Sequence, residues 1–156
     1  MSDTSFRVAV VGGGITGAMA ASVLGKAAGC EVCVFDQGRR GPGGRASHRT
    51  VRPSDAAVLP DDGPVAHENY EFDHGCQFFR SDSDTMRALV AEWCQYGWAA
   101  PWHGRFGRIG SGGDFFGLPS DQSTVYTGVG GMHRLPRAIL AASGATVRFP
   151  YSTRTT

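Results

Sequence analysis

The chain has no run approaching the roughly 20 apolar residues that a bilayer-spanning helix requires. Its polar start, Met1-Ser2-Asp3-Thr4-Ser5, lacks the basic-then-apolar order of a secretory signal. No membrane span is expected; the cytoplasm is the default location, with a plastid or mitochondrial destination left open. A charge imbalance is missing too. Fifteen basic against 14 acidic residues leave a formal charge of +1, so no overall field draws the chain to nucleic acid or an anionic surface. The 23 glycines in 156 residues gather in motifs and turns without a fixed period, which excludes a repeat or collagen-like array.

Metal and nucleophile patterns are equally sparse. Cys30 and Cys33 have C-x-x-C spacing, but they lie around the start of a strand, where alternation sends them to opposite faces, and no second pair completes a four-ligand site. Cys76 and Cys94 read as reduced, partly buried thiols. The five histidines show no ligand spacing. His48 and His67 read as loop or strand-surface residues, and His103 and His133 follow aromatic or glycine-rich turns without an acidic neighbour in sequence. His74, between Asp73 and Gly75, reads first as a hydrogen-bonded structural histidine, with a role beside a ligand as the alternative. No metal is expected, and no Ser-His-Asp or paired-carboxylate constellation is visible. The run Gly104 to Gly110 interleaves Arg105, Phe106 and Arg108, but a nucleic-acid footprint involves a larger basic face, so no nucleic-acid partner is expected.

What is present is a strand-turn-helix entrance. An apolar run from Phe6 to Val11 meets Gly12-Gly13-Gly14-Ile15-Thr16-Gly17 and then an alanine-rich helical stretch. In this spacing Gly12 permits a tight turn, Gly14 lets the backbone approach a pyrophosphate, and Gly17 lets the helix pack closely on the strand. The phosphates would lie on the helix N-terminus, where unpaired N–H groups and the helix dipole favour an anion. The helix is expected to present Ile15, Met19, Val23, Leu24 and Ala27 on one face and to stop near Gly29. A second apolar run, Val32 to Phe35, ends in Asp36, 19 residues past Gly17, placed to accept hydrogen bonds from ribose hydroxyls. A carboxylate there suits FAD or NAD better than NADP, an argument that Arg39 and Arg40 blunt.

After Asp36 runs a glycine-rich loop closed by Gly43-Gly44-Arg45, whose small backbone can fold back across phosphates and whose arginine can pair with one through two parallel hydrogen bonds. The three motifs in this order resemble the flavin-dependent amine oxidase superfamily. The segments Phe72 to Phe79, Trp93 to Trp98, Trp102 to Gly107 and Tyr126 to Met132 narrow the resemblance to its renalase-like branch. The resemblance implies FAD contacts at Gly12, Gly14, Ile15, Thr16 and Gly17 in the pyrophosphate turn, at Asp36 on the ribose, and at Gly44 and Arg45 beside the phosphates. Gln77, Phe78, Gly131 and Met132 would lie near the flavin. Members of that branch are much longer, with a substrate sheet and a late Gly-Asp segment, so residues 1–156 are read as the N-terminal part of an FAD/NAD(P)-binding domain.

Between the motifs, Ser47 to Arg52 and Asn69 to Asp73 are predicted to form a hairpin around a proline-rich loop. Asp82 is predicted to cap a helix over about 83–96, with Met86, Leu89, Val90 and Trp93 as its core stripe and Gly97 ending it. Leu135, Ile139 and Leu140 mark a further helix that tolerates Pro136 in its first turn, and 145–149 reads as another strand of the nucleotide-binding sheet. The expected architecture is α/β: a doubly wound, Rossmann-like FAD-binding unit with an inserted β-hairpin, apparently truncated. The resemblance implies an oxidoreductase moving a hydride from an amine-like or dihydronicotinamide-like small-molecule donor to flavin. Two other readings stay open: a truncated, catalytically silent dinucleotide-binding domain, and an enzyme using NAD without flavin.

Overall fold

The computed structural model describes residues 6–54, 57–59, 69–103 and 124–149. Strand β1 (Phe6–Val11) runs into helix α1 (Ile15–Leu24) and returns through β2 (Cys30–Phe35), which lies parallel to β1 in the register Phe6 to Cys30 through Val11 to Phe35. Strand β9 (Thr146–Arg148) adds to the other side of β2, also parallel, giving the order β1-β2-β9. This is the Rossmann-like sheet the sequence predicts, and the expected strand near 145–149 is β9. The strand is preceded by helix α3 (Arg134–Ala142), whose Pro136 falls in the first turn, where the missing N–H has no intrahelical partner to lose.

Long insertions between β2 and β9 build two more sheets. Strands β3 (His48–Val51), β4 (Val58–Leu59) and β5 (Tyr70–Asp73) form an antiparallel sheet in the order β4-β3-β5, with His48 opposite Asp73 and Val51 opposite Tyr70. The predicted hairpin is the β3–β5 pair; β4 is an addition from within its connecting loop. Strands β6 (Phe79–Arg80), β7 (Ala99–Pro101) and β8 (Val125–Gly128) form a third sheet in the order β6-β8-β7, which the sequence reading did not foresee. Strands of two to four residues are too short for alternation to register. Helix α2 (Asp84–Gln95) lies between β6 and β7, and its N-cap is Ser83, which accepts the Met86 N–H at 3.2 Å. That corrects the expected Asp82 cap by one residue: the cap must sit three positions before the N–H it satisfies.

One hydrophobic cluster joins the parallel sheet to the insertions. Val32 and Val34 of β2, Ala18 and Ala21 of α1, Ile139 and Leu140 of α3, and Val90 and Trp93 of α2 all belong to it. Fully burying side chains such as Val34, Val90 and Leu140 contributes about 1.5–3 kcal/mol each. In α1 the buried residues are Gly17, Ala18 and Ala21, while Ile15 is 41% and Val23 65% exposed. The predicted stripe is thus corrected in part: Met19 and Leu24 pack against the core, Ile15 and Val23 face outward, and Ala27 lies beyond the helix end. Helix α1 packs on β1 and β2, α3 packs on α1, and Val32 and Val34 of β2 are buried. On the other face Val11 is 89% and Phe35 43% exposed, so among the described residues the sheet is wound on one face where two were expected.

Candidate functional site

The glycine turn closes the β1–α1 corner. Gly12 has φ +99°, a conformation that disfavours any side chain, and its N–H donates to Phe35 O at 2.7 Å, tying the turn to the end of β2. A Cβ on Gly17 would lie 1.8 Å from Gly12 O, so the helix seats on the turn only because residue 17 has no side chain. Gly14 differs from both. Its φ of −73° suits any residue, and a Cβ there would meet only Gly44 Cα at 3.7 Å and Gly43 O at 3.9 Å, ordinary van der Waals contacts. Nothing in the chain's own packing requires glycine at 14. Ile15 and Thr16, in the first turn of α1, are exposed beside it.

Asp36 ends β2 and uses both carboxylate oxygens on backbone. Gly13 N–H donates to Oδ2 at 2.6 Å and Gly38 N–H donates to Oδ1 at 2.7 Å. One acid therefore fixes the glycine turn and the start of the following loop. That loop, residues 37–45, folds back over the turn: a Cβ on Gly44 would lie 3.2 Å from Gly14 Cα, and one on Gly13 would lie 2.5 Å from Pro42 Cβ. Arg39, Arg40 and Arg45 are all exposed. The sequence-predicted residues Gly12, Gly14, Ile15, Thr16, Gly17, Asp36, Gly44 and Arg45 thus fall in one neighbourhood, where two glycine-rich segments face each other at the N-terminus of α1.

The inserted hairpin meets the turn before α3 at Asp73. This carboxylate accepts the Met132 N–H through both oxygens, at 3.0 and 3.1 Å, and His48 Nδ1 lies 3.0 Å from Oδ1. A carboxylate only accepts, so His48 carries its proton on Nδ1 in this pair. Gly131, at φ +108°, lets the turn pass the histidines: a Cβ there would sit 2.8 Å from His48 Nδ1 and 2.9 Å from His133 Nδ1. Met132 is buried, and its sulfur accepts the Gly128 N–H at 3.1 Å.

His48 corrects the sequence reading outright. It is 3% exposed, as is His133, and the two rings stack at 4.5 Å with 26° between their planes. The acidic partner absent from the local sequence comes from β5. Ligand-type atoms of His48, Asp73 and His133 lie within 4.8 Å of one another. His48 Nδ1 is engaged with Asp73 Oδ1, and both rings lie against the Gly131 turn. Such a cluster of residues 48, 73 and 133 has no sequence spacing to reveal it.

The remaining candidates scatter. Gln77 is exposed, and Phe78 packs its ring 6.1 Å from that of Trp102. His74 is exposed, with Nδ1 at 3.4 Å from Ser47 Oγ. Cys30 packs toward the core through the helix-covered face of β2, and Cys33 lies on the alternate face, as alternation requires. All four cysteines are free thiols, and burial pushes the Cys94 thiol up from its usual value. The basic-aromatic run 104–110 and His67 lie outside the described residues. Among the described residues, no helix is long and apolar enough to cross a membrane.

Residues 10–93 match the family model for an NAD(P)-binding Rossmann-like domain. That span holds the glycine turn, Asp36, the folded-back loop, the hairpin and most of α2. Among curated proteins none matches the chain.

Proposed function

The chain belongs to the NAD(P)-binding Rossmann-like domain family, and from that premise we propose that it is the FAD-binding domain of an oxidoreductase resembling renalase and the amine oxidases. Gly14 carries the proposal. Gly12 and Gly17 are glycines for reasons internal to the fold, whereas Gly14 is free of strain and of close neighbours. Its lack of a side chain leaves backbone alone at the N-terminus of α1, beside Gly44, which is where a pyrophosphate would approach.

The donor set fits such a group. The first-turn N–H groups of α1 favour an anion, Arg45 is exposed at the end of the facing loop and supplies a planar fork for a phosphate, and Asp36 lies at the ribose end. The Gly43-Gly44-Arg45 loop after Asp36 supports FAD over NAD through the resemblance, since the diphosphate itself is common to both dinucleotides. Asp36 opposes a 2′-phosphate. By the resemblance, Gln77, Phe78, Gly131 and Met132 border the isoalloxazine. Phe78 offers it an apolar ring, and the Asp73 link to Met132 N holds the Gly130-Gly131 turn rigid. When bound, flavin supplies the hydride acceptor for an amine-like or dihydronicotinamide-like donor. The protein's own part is to bind, orient and shield.

The test is an absorbance spectrum of the purified chain before and after incubation with FAD and gel filtration. Retained flavin bands are expected. A folded, colourless protein that takes up NADH in the same assay would replace FAD by NAD, and one that takes up neither would leave a silent domain.

A further inference from the structure

We propose that Arg137 of α3 is the positioning residue that locks the loop 37–45 in the shape required to receive a dinucleotide. This inference rests on reading that loop as one wall of the dinucleotide site.

The loop holds four glycines, at positions 38, 41, 43 and 44, and ordering such a segment costs more conformational entropy than ordering any other backbone. Its near end is held by Asp36 through Gly38 N and by the Gly41 N–H donating to Gly38 O at 3.2 Å. Its middle is held from the opposite side of the sequence. Arg137 Nε donates to Pro42 O at 2.9 Å and Arg137 Nη2 donates to Arg40 O at 2.5 Å. A single guanidinium thus grips two carbonyls two residues apart, 95 and 97 positions away in sequence. The fork geometry is specific to arginine, because a lysine ammonium is a single point that cannot present two fixed, parallel donors.

The grip controls more than the carbonyls. In a planar trans peptide the N–H points opposite the C=O, and no peptide among the described residues is cis. Holding the Pro42 carbonyl toward α3 therefore turns the Gly43 N–H away from α3. The next backbone atoms are those of Gly43 and Gly44, the wall facing Gly14. Gly41 lies beside the Arg137 guanidinium at φ +92°, a conformation that favours glycine. Arg137 is thus a positioning residue: it acts on the bound group through the loop. Because α3 packs on α1, both walls of the site are referred to one helix pair.

The experiment compares the intact chain with Arg137→Ala and Arg137→Lys by amide hydrogen exchange of the loop without ligand, FAD titration, and thermal melting. In Arg137→Ala the exchange at residues 38–44 is expected to rise about tenfold and FAD affinity to fall about tenfold or more, the loss of two hydrogen bonds from a charged group, while the chain still melts in one cooperative transition. Arg137→Lys should recover only part of the affinity, and millimolar methylguanidine should restore binding to Arg137→Ala, a readout that a packing role would not move. Equal FAD affinity in Arg137→Ala and the parent chain would overturn the proposal. If the parent chain takes up no FAD, the cofactor reading fails, and unchanged loop exchange in Arg137→Ala would then overturn the lock itself.

Discussion

Asp73 and Met132 are 59 residues apart, and both oxygens of the Asp73 carboxylate accept the Met132 N–H, at 3.0 and 3.1 Å. The bond joins the inserted hairpin to the turn that starts α3. It does so beside the stacked rings of His48 and His133.

Replacing Asp73 by Ala leaves the Met132 N–H and His48 Nδ1–H without their acceptor. Losing a partner for a largely buried donor costs about 2 kcal/mol, and chemical denaturation should show that loss with an unchanged denaturant slope. Asp73→Asn, which keeps one acceptor oxygen, should lose less. Equal stability of the Ala variant and the parent would remove Asp73 as the joint.

The two neighbouring glycines separate fold from ligand. Gly17→Ala puts a methyl 1.8 Å from Gly12 O, so α1 must move off the turn, a displacement that costs about 3 kcal/mol by the usual penalty for overpacking. Gly14→Ala meets nothing closer than 3.7 Å and should cost at most about 1 kcal/mol as an N-cap change. Dinucleotide affinity should behave in the opposite sense: Gly14→Ala folds but binds at least tenfold more weakly. Calorimetric melting paired with FAD titration reads both. Full affinity in Gly14→Ala, and in the bulkier Gly14→Val, would place the diphosphate elsewhere.

Asp36 makes two backbone hydrogen bonds, to Gly13 N–H and Gly38 N–H. Asp36→Asn keeps the shape but turns an NH₂ donor toward one of those N–H groups, so the turn and the loop lose their common anchor. FAD affinity should fall by about tenfold or more, since a hydrogen bond to a charged acceptor contributes about 1.5–3 kcal/mol. Affinity equal to that of the parent would show that the anchor is dispensable for binding.

Burial raises the Cys94 thiol above its usual value, and the sign of the consequence is definite. The folded chain disfavours the thiolate, so the contribution of Cys94 to stability is fully present below the unfolded thiol's pKa and is lost as pH rises through the folded one. Labelling with iodoacetamide, followed by mass spectrometry, should show the Cys94 rate rising with pH at higher pH in the native chain than in urea. Coincident profiles would contradict a buried thiol.

The glycine turn, Asp36 and the loop were legible because each is a local requirement: a turn needs a positive φ at Gly12, a close crossing needs no side chain at Gly17, and an acid follows a strand end. The α1 stripe was legible at Met19 and Leu24 and misread at Ile15 and Val23, for a related reason. Periodicity counts apolar residues, whereas the contact distance to the strand selects small ones, so Ala18 and Ala21 are buried and Val23 is not. His48 was misread because its surroundings arrive from β5 and from the turn before α3.

The sequence by itself determined the parallel β1-α1-β2 entrance and the chemistry of its corner, since those depend on backbone freedom and hydrophobic runs within a few tens of residues. The tertiary structure alone decided which face of the sheet is covered, that Asp73 gathers His48 and Met132, and that Arg137 reaches the Arg40 and Pro42 carbonyls. Those are matters of which distant segments come within hydrogen-bonding distance. Hydrogen bonds act over about 3 Å, and no spacing in the linear chain encodes a 3 Å contact between residues 95 positions apart.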